Sequence, residues 1–310
     1  MPQIRTIYFG SSAFGLPSLD WLWRNTELVA VITTPDKPVG RKQELVASPI
    51  KKWAVEHNIP LLQPDKLKTG GFKEQLTKMS PDVGFLASYG RILPQDIIDI
   101  PKKGIVNLHP SLLPKYRGAT PIQSAILAGE EKTGVSLIVL DSELDHGPII
   151  AQREIRIEAS DTYESLQEKL SLVGSDLVGE FFLPYAKGEI QAVEQNHEEA
   201  TLTKPLKKED GLIDWTKPVE YIERMIRAYN PWPGTFTHLK DKKDVILKII
   251  KALSDGGVTL APGEGLNKRN LFFIGTGTFA LQIMEVQMSG GKKVSATEFL
   301  RGFRGELKFE

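Results

Sequence analysis

The sequence contains no cysteine, no long apolar run and no excess of either charge. Without cysteine the chain can form neither a disulfide framework, nor a thiolate metal site, nor a cysteine nucleophile. No stretch approaches the ~18–20 consecutive apolar residues that span a bilayer. The first ten residues, MPQIRTIYFG, lack the charged and apolar regions of a secretory signal. We therefore expect a globular cytoplasmic protein.

The balance of 39 Lys+Arg against 39 Asp+Glu hides an uneven distribution. Residues 1–205 carry 22 basic and 26 acidic side chains, a net charge of −4, whereas residues 206–310 carry 17 and 13, a net charge of +4. A zero average argues against a protein that coats a polyanion. The distribution nevertheless indicates a boundary near residue 200 and an acidic partner for the second half.

Apolar runs alternate with segments of helical apolar spacing over the first 190 residues. The predicted strands are IRTIYFG (4–10), LVAVITT (28–34), a short run at Leu61 and Leu62, DVGFLASYG (82–90), GIVNLHP (104–110), GVSLIVLD (134–141) and PIIAQREIRI (148–157). The predicted helices are 16–23, 48–57, 71–79, 121–129 and 161–186. This alternation predicts an α/β domain with a Rossmann-like, mostly parallel sheet covered on both faces.

The pattern weakens after residue 187. We predict a catalytic domain over 1–187, a polar linker over 188–207 and a small C-terminal domain over 208–310. The C-terminal segment begins with a helical pattern at 218–230 and continues with short apolar runs between Gly and Pro residues. That spacing favours a small antiparallel barrel or sandwich, and of the two we predict an antiparallel β-barrel of OB-like type.

Three polar residues at strand ends suggest chemistry. Side chains alternate along a strand, so Asn107 and His109 point to the same side, at the carboxyl end where open α/β sheets build their sites. Asp145 follows a later strand. An amide can donate to a developing oxyanion, an imidazole can move a proton, and a carboxylate can orient the imidazole, a set suited to acyl transfer to an amine. A turn hydrogen bond for Asn107 and a strand cap for His109 remain the alternative.

These residues lie in a specific motif. The segment NLHPSLLPKYRGATPIQ (107–123), with LDHG (144–147) downstream, resembles the signature of the formyltransferases that use 10-formyltetrahydrofolate. The resemblance implies that Asn107, His109 and Asp145 are the catalytic residues. Over its whole length the chain resembles the methionyl-tRNA formyltransferases of this family. The segments that carry this wider resemblance are TTPDKPVGRKQELVASPIK (33–51), KKEDGLIDW (207–215), IRAYNPWPG (226–234) and LQIMEVQMSGGKKVSATEFLRG (281–302).

The resemblance implies an activity and its substrates. It implies a monomeric enzyme that moves the formyl group of 10-formyltetrahydrofolate to the free α-amino group of initiator methionyl-tRNA, without a metal. It assigns folate binding to Ser88, Tyr89, Gly90, Ile92, Leu93, Ser111, Leu112, Leu113, Pro114 and Asp141. It assigns contact with the tRNA acceptor stem to a basic loop through Lys37, Arg41 and Lys42, and a second tRNA surface to the C-terminal domain.

Some features depart from the family pattern or leave alternatives open. Leu202 stands where an aromatic residue is expected, and GTGTFAL (275–281) lacks an acidic turn. GSSAFGLPS (10–18) does not match the G-x-G-x-x-G phosphate loop, so nucleotide binding by that route is not expected. A nucleotide-sugar formyltransferase would share the catalytic triad without needing the basic loop. A catalytically silent RNA-binding protein is the alternative from another class.

Overall fold

The computed structural model describes residues 3–39, 44–68, 70–240, 242–254 and 257–310. It separates into two compact units. The first contains residues up to 121 together with 132–156 and 166–203, and the second contains 122–131, 157–165 and 204–310. None of the helices in these ranges is long and apolar enough to cross a bilayer. The predicted domain limits at 187 and 207 stay predictions.

The strands and helices follow the predicted alternation with several additions. The strands are β1 (Arg5–Gly10), β2 (Glu27–Ile32), β3 (Lys37–Val39), β4 (Glu44–Val46), β5 (Leu61–Leu62), β6 (Val83–Ala87), β7 (Ile105–His109), β8 (Arg117–Gly118), β9 (Lys132–Val139), β10 (Ile149–Arg156), β11 (Leu202–Thr203), β12 (Thr235–Leu239), β13 (Lys242–Ser254), β14 (Gly265–Lys268), β15 (Leu271–Ile274), β16 (Leu281–Met288) and β17 (Lys293–Ser295). The helices are α1 (Leu16–Asn25), α2 (Pro49–Glu56), α3 (Gly70–Met79), α4 (Gln95–Ile98), α5 (Pro121–Ala128), α6 (Tyr163–Lys187), α7 (Val219–Tyr229) and α8 (Ala296–Gly302).

The first unit is built on a seven-stranded sheet in the order β10-β9-β7-β6-β1-β2-β5. Five neighbouring strands are parallel, from β5 through β2, β1 and β6 to β7. Along the chain, β1 is followed by β2 and β5 on one side of it, and then by β6 and β7 on its other side. The order therefore reverses between β1 and β6, the type of position at which open α/β sheets bind ligands.

The mostly parallel sheet is confirmed, but its far edge is antiparallel. Strand β9 runs antiparallel to β7, with Val106 beside Val139, and β10 runs antiparallel to β9. The loop after β9 thus begins beside the start of β7 rather than beside its carboxyl end. This geometry matters for the site, because that loop carries Asp145.

Both faces of the sheet are covered, as continuous apolar strands require. On one face Ile7 and Phe9 join a buried cluster with residues of α3 and α4. On the other face Tyr8 stacks near Phe85, and Phe85 meets Phe182 of α6 edge-on. Alternation along β1 sends its side chains into both cores.

Helix α2 begins where the sequence predicted. Ser48 has extended backbone angles and its hydroxyl accepts a hydrogen bond from the Lys51 N–H, while Pro49 occupies the first helical position. The hydroxyl satisfies one of the free N–H groups of the first turn, and the proline has none to leave unsatisfied.

The second unit contains a six-stranded antiparallel sheet ordered β12-β13-β16-β15-β14, with β17 paired to β16. The last residues of the chain bridge its two edges: Phe309 pairs with Leu239 of β12, and Lys308 pairs with Glu264 beside β14. The curled sheet therefore closes on itself. Helix α7 packs apolar residues such as Ile222 against this sheet.

Candidate active site

Strand β7 carries two of the predicted catalytic residues in a fully buried run. All five of its residues are buried, and Asn107 and His109 keep only 5% and 4% of their surface exposed. The strand lies between β6 and β9, which hold its backbone on both sides. An amide and an imidazole are thus fixed on one face of a rigid element.

The loop after β9 returns to meet these two side chains. The Asn107 amide donates to Asp145 Oδ1 over 3.2 Å, and His109 Nδ1 lies 3.5 Å from Asp145 Oδ2. The backbone N–H of Gly118 donates to the same Oδ2 over 2.8 Å. The structure therefore brings together the three residues that the sequence singled out, although their catalytic roles stay predictions.

Hydrogen-bond partners fix which atoms are free to act. A carbonyl can only accept, so His109 Nε2 donates to the Tyr116 carbonyl at 3.0 Å, and Nδ1 is the ring nitrogen that faces Asp145. A carboxylate can only accept, so the Asn107 nitrogen points at Asp145 with one of its two N–H groups. The second N–H can donate to another oxygen.

Glycine is required beside this cluster. Gly118 has a φ of +112°, and a Cβ there would lie 2.6 Å from the Thr203 carbonyl oxygen. The close approach arises because β8 pairs with β11, residue 118 beside residue 203. Glycine tolerates both the positive φ and the contact, and so lets its N–H reach Asp145.

Two buried polar residues that the sequence analysis missed stand behind Asp145. Gln195 donates from its amide nitrogen to the Asp145 carbonyl at 2.9 Å and to the Gly147 carbonyl at 2.8 Å. Its Oε1 accepts from Arg117 Nε at 3.2 Å and from Nη2 at 2.7 Å. Both side chains are about 95% buried. An isolated glutamine in a polar segment gives no periodic signal that could have identified it.

The residues assigned to folate lie in three loops and differ in exposure. Those with exposed side chains or backbone are Ser88, Gly90 and Ile92, those half-buried are Leu112, Pro114 and Asp141, and those buried are Tyr89, Leu93, Ser111 and Leu113. Tyr89 and Leu93 belong to a hydrophobic core cluster. The carbonyls of Ser88 and Tyr89 already accept hydrogen bonds from Ser11. Four of the ten residues are therefore buried, and three present an exposed surface to which a ligand could bind.

Polar side chains hold the loop after β7 in place. Ser136 accepts a hydrogen bond from the Leu113 N–H at 3.1 Å and donates to the Ser111 carbonyl at 2.6 Å. Gln152 donates to the Leu113 carbonyl at 2.9 Å and to the Ser136 hydroxyl at 2.7 Å. Strands β9 and β10 thus fix the position of residues 111–113 next to His109.

The basic loop is described only in part. Lys37 lies exposed on β3, and β3 pairs with β4 as a hairpin. Arg41 and Lys42 lie outside the described residues. Lys51, also basic, is engaged by Asp36 over 2.6 Å, and the hydrogen bond from Lys51 lowers the pKa of the Asp36 carboxyl.

Among the described residues, no group of three or more His, Asp or Glu side chains is arranged to hold a metal ion. The polar residues of the site are paired with one another instead. Asp141, for example, accepts from His146 Nδ1 at 2.7 Å and from the Glu143 N–H at 2.9 Å.

Comparison with known proteins covers both units. The formyl transferase family profile matches residues 17–180, and the profile of the formyl transferase C-terminal domain matches residues 205–304. A protein of Chloroflexus aurantiacus named methionyl-tRNA formyltransferase is 40% identical over 306 residues, which is 98% of each chain. A protein of Myxococcus xanthus with the same name is 40% identical over 98% of this chain and 96% of its own.

Solved structures share the fold at lower identity. An N-formyltransferase from Helicobacter canadensis, solved with folinic acid and dTDP-3-aminofucose, superposes with a TM-score of 0.66 at 21% identity, over 91% of this chain and 99% of its own. HypX from Aquifex aeolicus, in complex with tetrahydrofolic acid, superposes with a TM-score of 0.65 at 17% identity over 100% of this chain. This chain spans only about half of HypX, 50% of its length. From the match of the family profile to more than half of its residues and the 40% identity along its full length, the chain belongs to the formyltransferase family.

Proposed function

We propose that this protein transfers the formyl group of 10-formyltetrahydrofolate to the α-amino group of initiator methionyl-tRNA, acting as a monomer in the cytoplasm. The observation that carries the proposal is the contact of Asn107 and His109 with Asp145, in a chain that aligns end to end with the relatives described above. The products are N-formylmethionyl-tRNA and tetrahydrofolate, so the enzyme prepares the aminoacyl-tRNA that begins translation.

The chemistry requires one bond to form and one to break. The methionyl amine attacks the formyl carbon, and a tetrahedral intermediate with an oxyanion forms. The second N–H of Asn107 donates to that oxyanion, because the first is engaged by Asp145. The bond from carbon to N10 of the folate then breaks, and the proton lost by the amine passes to N10.

His109 and Asp145 handle that proton. His109 Nδ1 and Asp145 Oδ2 face each other at 3.5 Å, and each can hold a proton that the other releases. Burial excludes bulk water from this pair, which strengthens the electrostatic effect of each group on the intermediate. The Gly118 N–H keeps the carboxylate oriented throughout.

Folate binds beside this cluster at the three loops that the family resemblance assigns. The exposed backbone at Ser88 and Gly90 has positive φ values of 49° and 77°, and the loop at Asp141 follows β9. Tyr89, Leu93 and Leu113 are buried apolar side chains in two of these loops, the type of residue that a pocket for a planar ring requires. Strand β7 lies between these loops, so the formyl carbon would meet Asn107.

The tRNA contacts both a basic loop and the C-terminal domain. Lys37, Arg41 and Lys42 meet the acceptor stem, and exposed lysines and arginines of residues 208–310 follow the phosphates. Among those with described, exposed side chains are Lys240, Lys248, Lys251, Lys292, Lys293, Arg301 and Arg304. We retain 1–187, 188–207 and 208–310 as catalytic domain, linker and tRNA-binding domain.

The decisive experiment measures formyl transfer from 10-formyltetrahydrofolate to purified Met-tRNA and, in parallel, to an amino-sugar nucleotide. We expect rapid transfer to Met-tRNA alone. Asn107→Ala should lower kcat by about 100- to 1000-fold, the usual effect of losing one oxyanion donor. Transfer to the amino sugar but not to Met-tRNA would overturn the proposal, and so would folate-independent RNA binding without any transfer.

Salt concentration tests the RNA contacts separately from the chemistry. Each phosphate contact releases counterions, so KM for Met-tRNA should rise steeply between about 50 and 200 mM salt. Arg41→Ala should raise that KM and reduce the salt dependence, with KM for the folate unchanged. If KM for Met-tRNA does not depend on salt, the proposed basic contacts are absent.

A further inference from the structure

The segment expected to be a polar linker contributes a buried residue to the active site. Gln195 is 5% exposed, whereas its neighbours Glu194 and Asn196 are exposed. The segment reaches the site through an antiparallel bridge between Val193 and Ile149, whose two backbone hydrogen bonds measure 2.7 and 2.8 Å. This bridge places Gln195 beside the loop that carries Asp145.

The Gln195 amide holds the backbone on both sides of one loop position. Its nitrogen donates to the carbonyls of Asp145 and Gly147, which flank His146. Asp145 has a φ of +49°, a left-handed conformation that L-residues adopt at a cost. A residue in that conformation persists when its surroundings enforce it, and these two hydrogen bonds supply such enforcement.

Arg117 fixes which way the Gln195 amide points. A guanidinium can only donate, so Gln195 must present its oxygen to Arg117 and its nitrogen to the loop carbonyls. Arg117 also donates from Nη2 to His197 Nδ1 at 2.8 Å, and the His197 ring stacks on His146 at 3.9 Å. The amide orientation is therefore set by the Arg117 guanidinium, which has no acceptor to offer.

The Asp145 carboxylate is also held by the residue that follows Arg117. Arg117 immediately precedes Gly118, whose N–H donates to Asp145 Oδ2. One side chain, Gln195, thus links the strand that holds the Asp145 carboxylate to the loop that holds its backbone. Displacement of either would change the distances from Asp145 to Asn107 and His109.

We propose that Gln195 is a positioning residue for Asp145, held in register by Arg117, and that it sets the carboxylate at the distance proton transfer requires. The inference rests on the proposed function and deepens it, because the property it explains is the rate of formyl transfer. It gives the polar segment around residue 195 a part in catalysis. A displacement of about 1 Å at a reacting group can cost about 100-fold in rate.

Gln195→Glu tests the proposal at constant size. A carboxylate still accepts from Arg117 but cannot donate to the Asp145 and Gly147 carbonyls. Gln191→Glu, an exposed position in the same segment, is the matched control. Single-turnover transfer to Met-tRNA at saturating substrates is measured in the wild-type and Asp145→Ala backgrounds, with rates normalised to folded protein from circular dichroism. Steady-state rates over a range of each substrate concentration give the two KM values.

We expect Gln195→Glu to lower the wild-type rate by about 10- to 100-fold with both KM values within about 3-fold. In the Asp145→Ala background the same substitution should have an effect below about 3-fold, because residues that act as a unit are not additive. Gln191→Glu should match the wild type. If Gln195→Glu does not fold, Gln195→Met carries the same test without a charge.

Two results would overturn the positioning role. A wild-type rate in Gln195→Glu would show that the two hydrogen bonds do not matter for transfer. An equal loss in both backgrounds would show a structural effect that does not act through Asp145. Absence of transfer by the wild-type protein itself would instead refute the proposed function, so the two failures are distinguishable.

Discussion

The two units differ in which polar groups they bury. In the first unit an amide, an imidazole, a carboxylate and a guanidinium lie inside, at Asn107, His109, Asp145 and Arg117. In the second unit the buried polar side chains among the described residues are Asp161 and three threonines, and the lysines and arginines of residues 208–310 with a described burial are exposed or half-buried.

Burial of charge is costly unless each group is paired, and clusters of such groups are frequent where chemistry needs them. The first unit pairs these groups with one another at one strand and two loops. Residues 206–310 of the second unit carry a net charge of +4, and their lysines and arginines with a described burial are exposed or half-buried, where they can attract a polyanion at little desolvation cost. This difference fits the proposed function, which has bond making in the first unit and binding in the second.

The largest expected effect comes from removing the carboxylate of the first unit. Asp145→Ala should lower kcat for formyl transfer by about 1,000-fold or more, because the variant loses the proton partner of His109 and the orienting partner of Asn107. Steady-state transfer to Met-tRNA measures it, with thermal unfolding to verify folding. Glu143→Gln, an exposed acid in the same loop, should leave kcat unchanged.

Wild-type turnover in Asp145→Ala would remove the contrast between the two units. The buried groups of the first unit would then serve stability alone.

A pair of glycines compares backbone constraints in the two units. Gly118→Ala in the first unit forces a side chain into φ +112° and to within 2.6 Å of the Thr203 carbonyl, so we expect destabilisation by at least about 2–3 kcal/mol. Gly290→Ala in the second unit meets no atom within 4 Å at φ +74° and should cost about 1–2 kcal/mol. Denaturant unfolding measures both.

The two glycine variants should also differ in kcat for formyl transfer. Gly118→Ala displaces an N–H that binds Asp145 and should reduce kcat, whereas Gly290→Ala should retain it. Equal kcat in both variants would mean that the Gly118 N–H is not needed to orient the carboxylate.

How much of this could be read from the sequence differs from one feature to another. Asn107 and His109 were found because period-two alternation and a proline after the strand are local signals. The direction of β9 could not be predicted, because an apolar run does not encode whether the neighbouring strand is parallel or antiparallel to it. Gln195 was missed because its partners are 48 to 78 residues away in sequence.

One missed element did have a local signal. Helix α8 opens with Ser295 and Glu298, whose side chains and backbone N–H groups bond reciprocally, and this capping box can be read directly from SATE. The antiparallel sheet that precedes α8 was predicted. Its closure by Phe309 was not, because the last residues of the chain have no strand-like pattern.

Two buried hydroxyls, one in each unit, allow a comparison with a smaller expected effect on stability. In the described structure the Tyr8 hydroxyl of the first unit is buried without a hydrogen-bond partner, and burial raises its pKa. Thr235 in the second unit donates to the Ile249 carbonyl at 2.7 Å. Tyr8→Phe should stabilise by about 1 kcal/mol, and Thr235→Val should destabilise by a similar amount. Urea unfolding reports both, and a loss of stability in Tyr8→Phe would reveal a partner for its hydroxyl.

The smallest expected effect is a pH dependence at surface carboxylates. The hydrogen bond from Lys102 and then the Arg5 N–H lower the pKa of Asp82 in the first unit, and hydrogen bonds from Thr216 lower the pKa of Asp214 in the second. A lowered pKa in the folded state adds stability above the unfolded value of about 4, and this stability is lost as the pH falls through the folded value.

Asp82→Asn should therefore reduce stability at pH 7 by less than about 1 kcal/mol, since water screens the pair with Lys102. The difference from the wild type should shrink as the pH falls below about 4, when the wild-type carboxyl is also neutral. Asp214→Asn should also reduce stability at pH 7, but by a smaller amount, because the Asp214 side chain is 53% exposed against 26% for Asp82. Unfolding midpoints between pH 3 and 7 measure both, and a gap for Asp82→Asn that persists at pH 3 would assign its effect to packing rather than to charge.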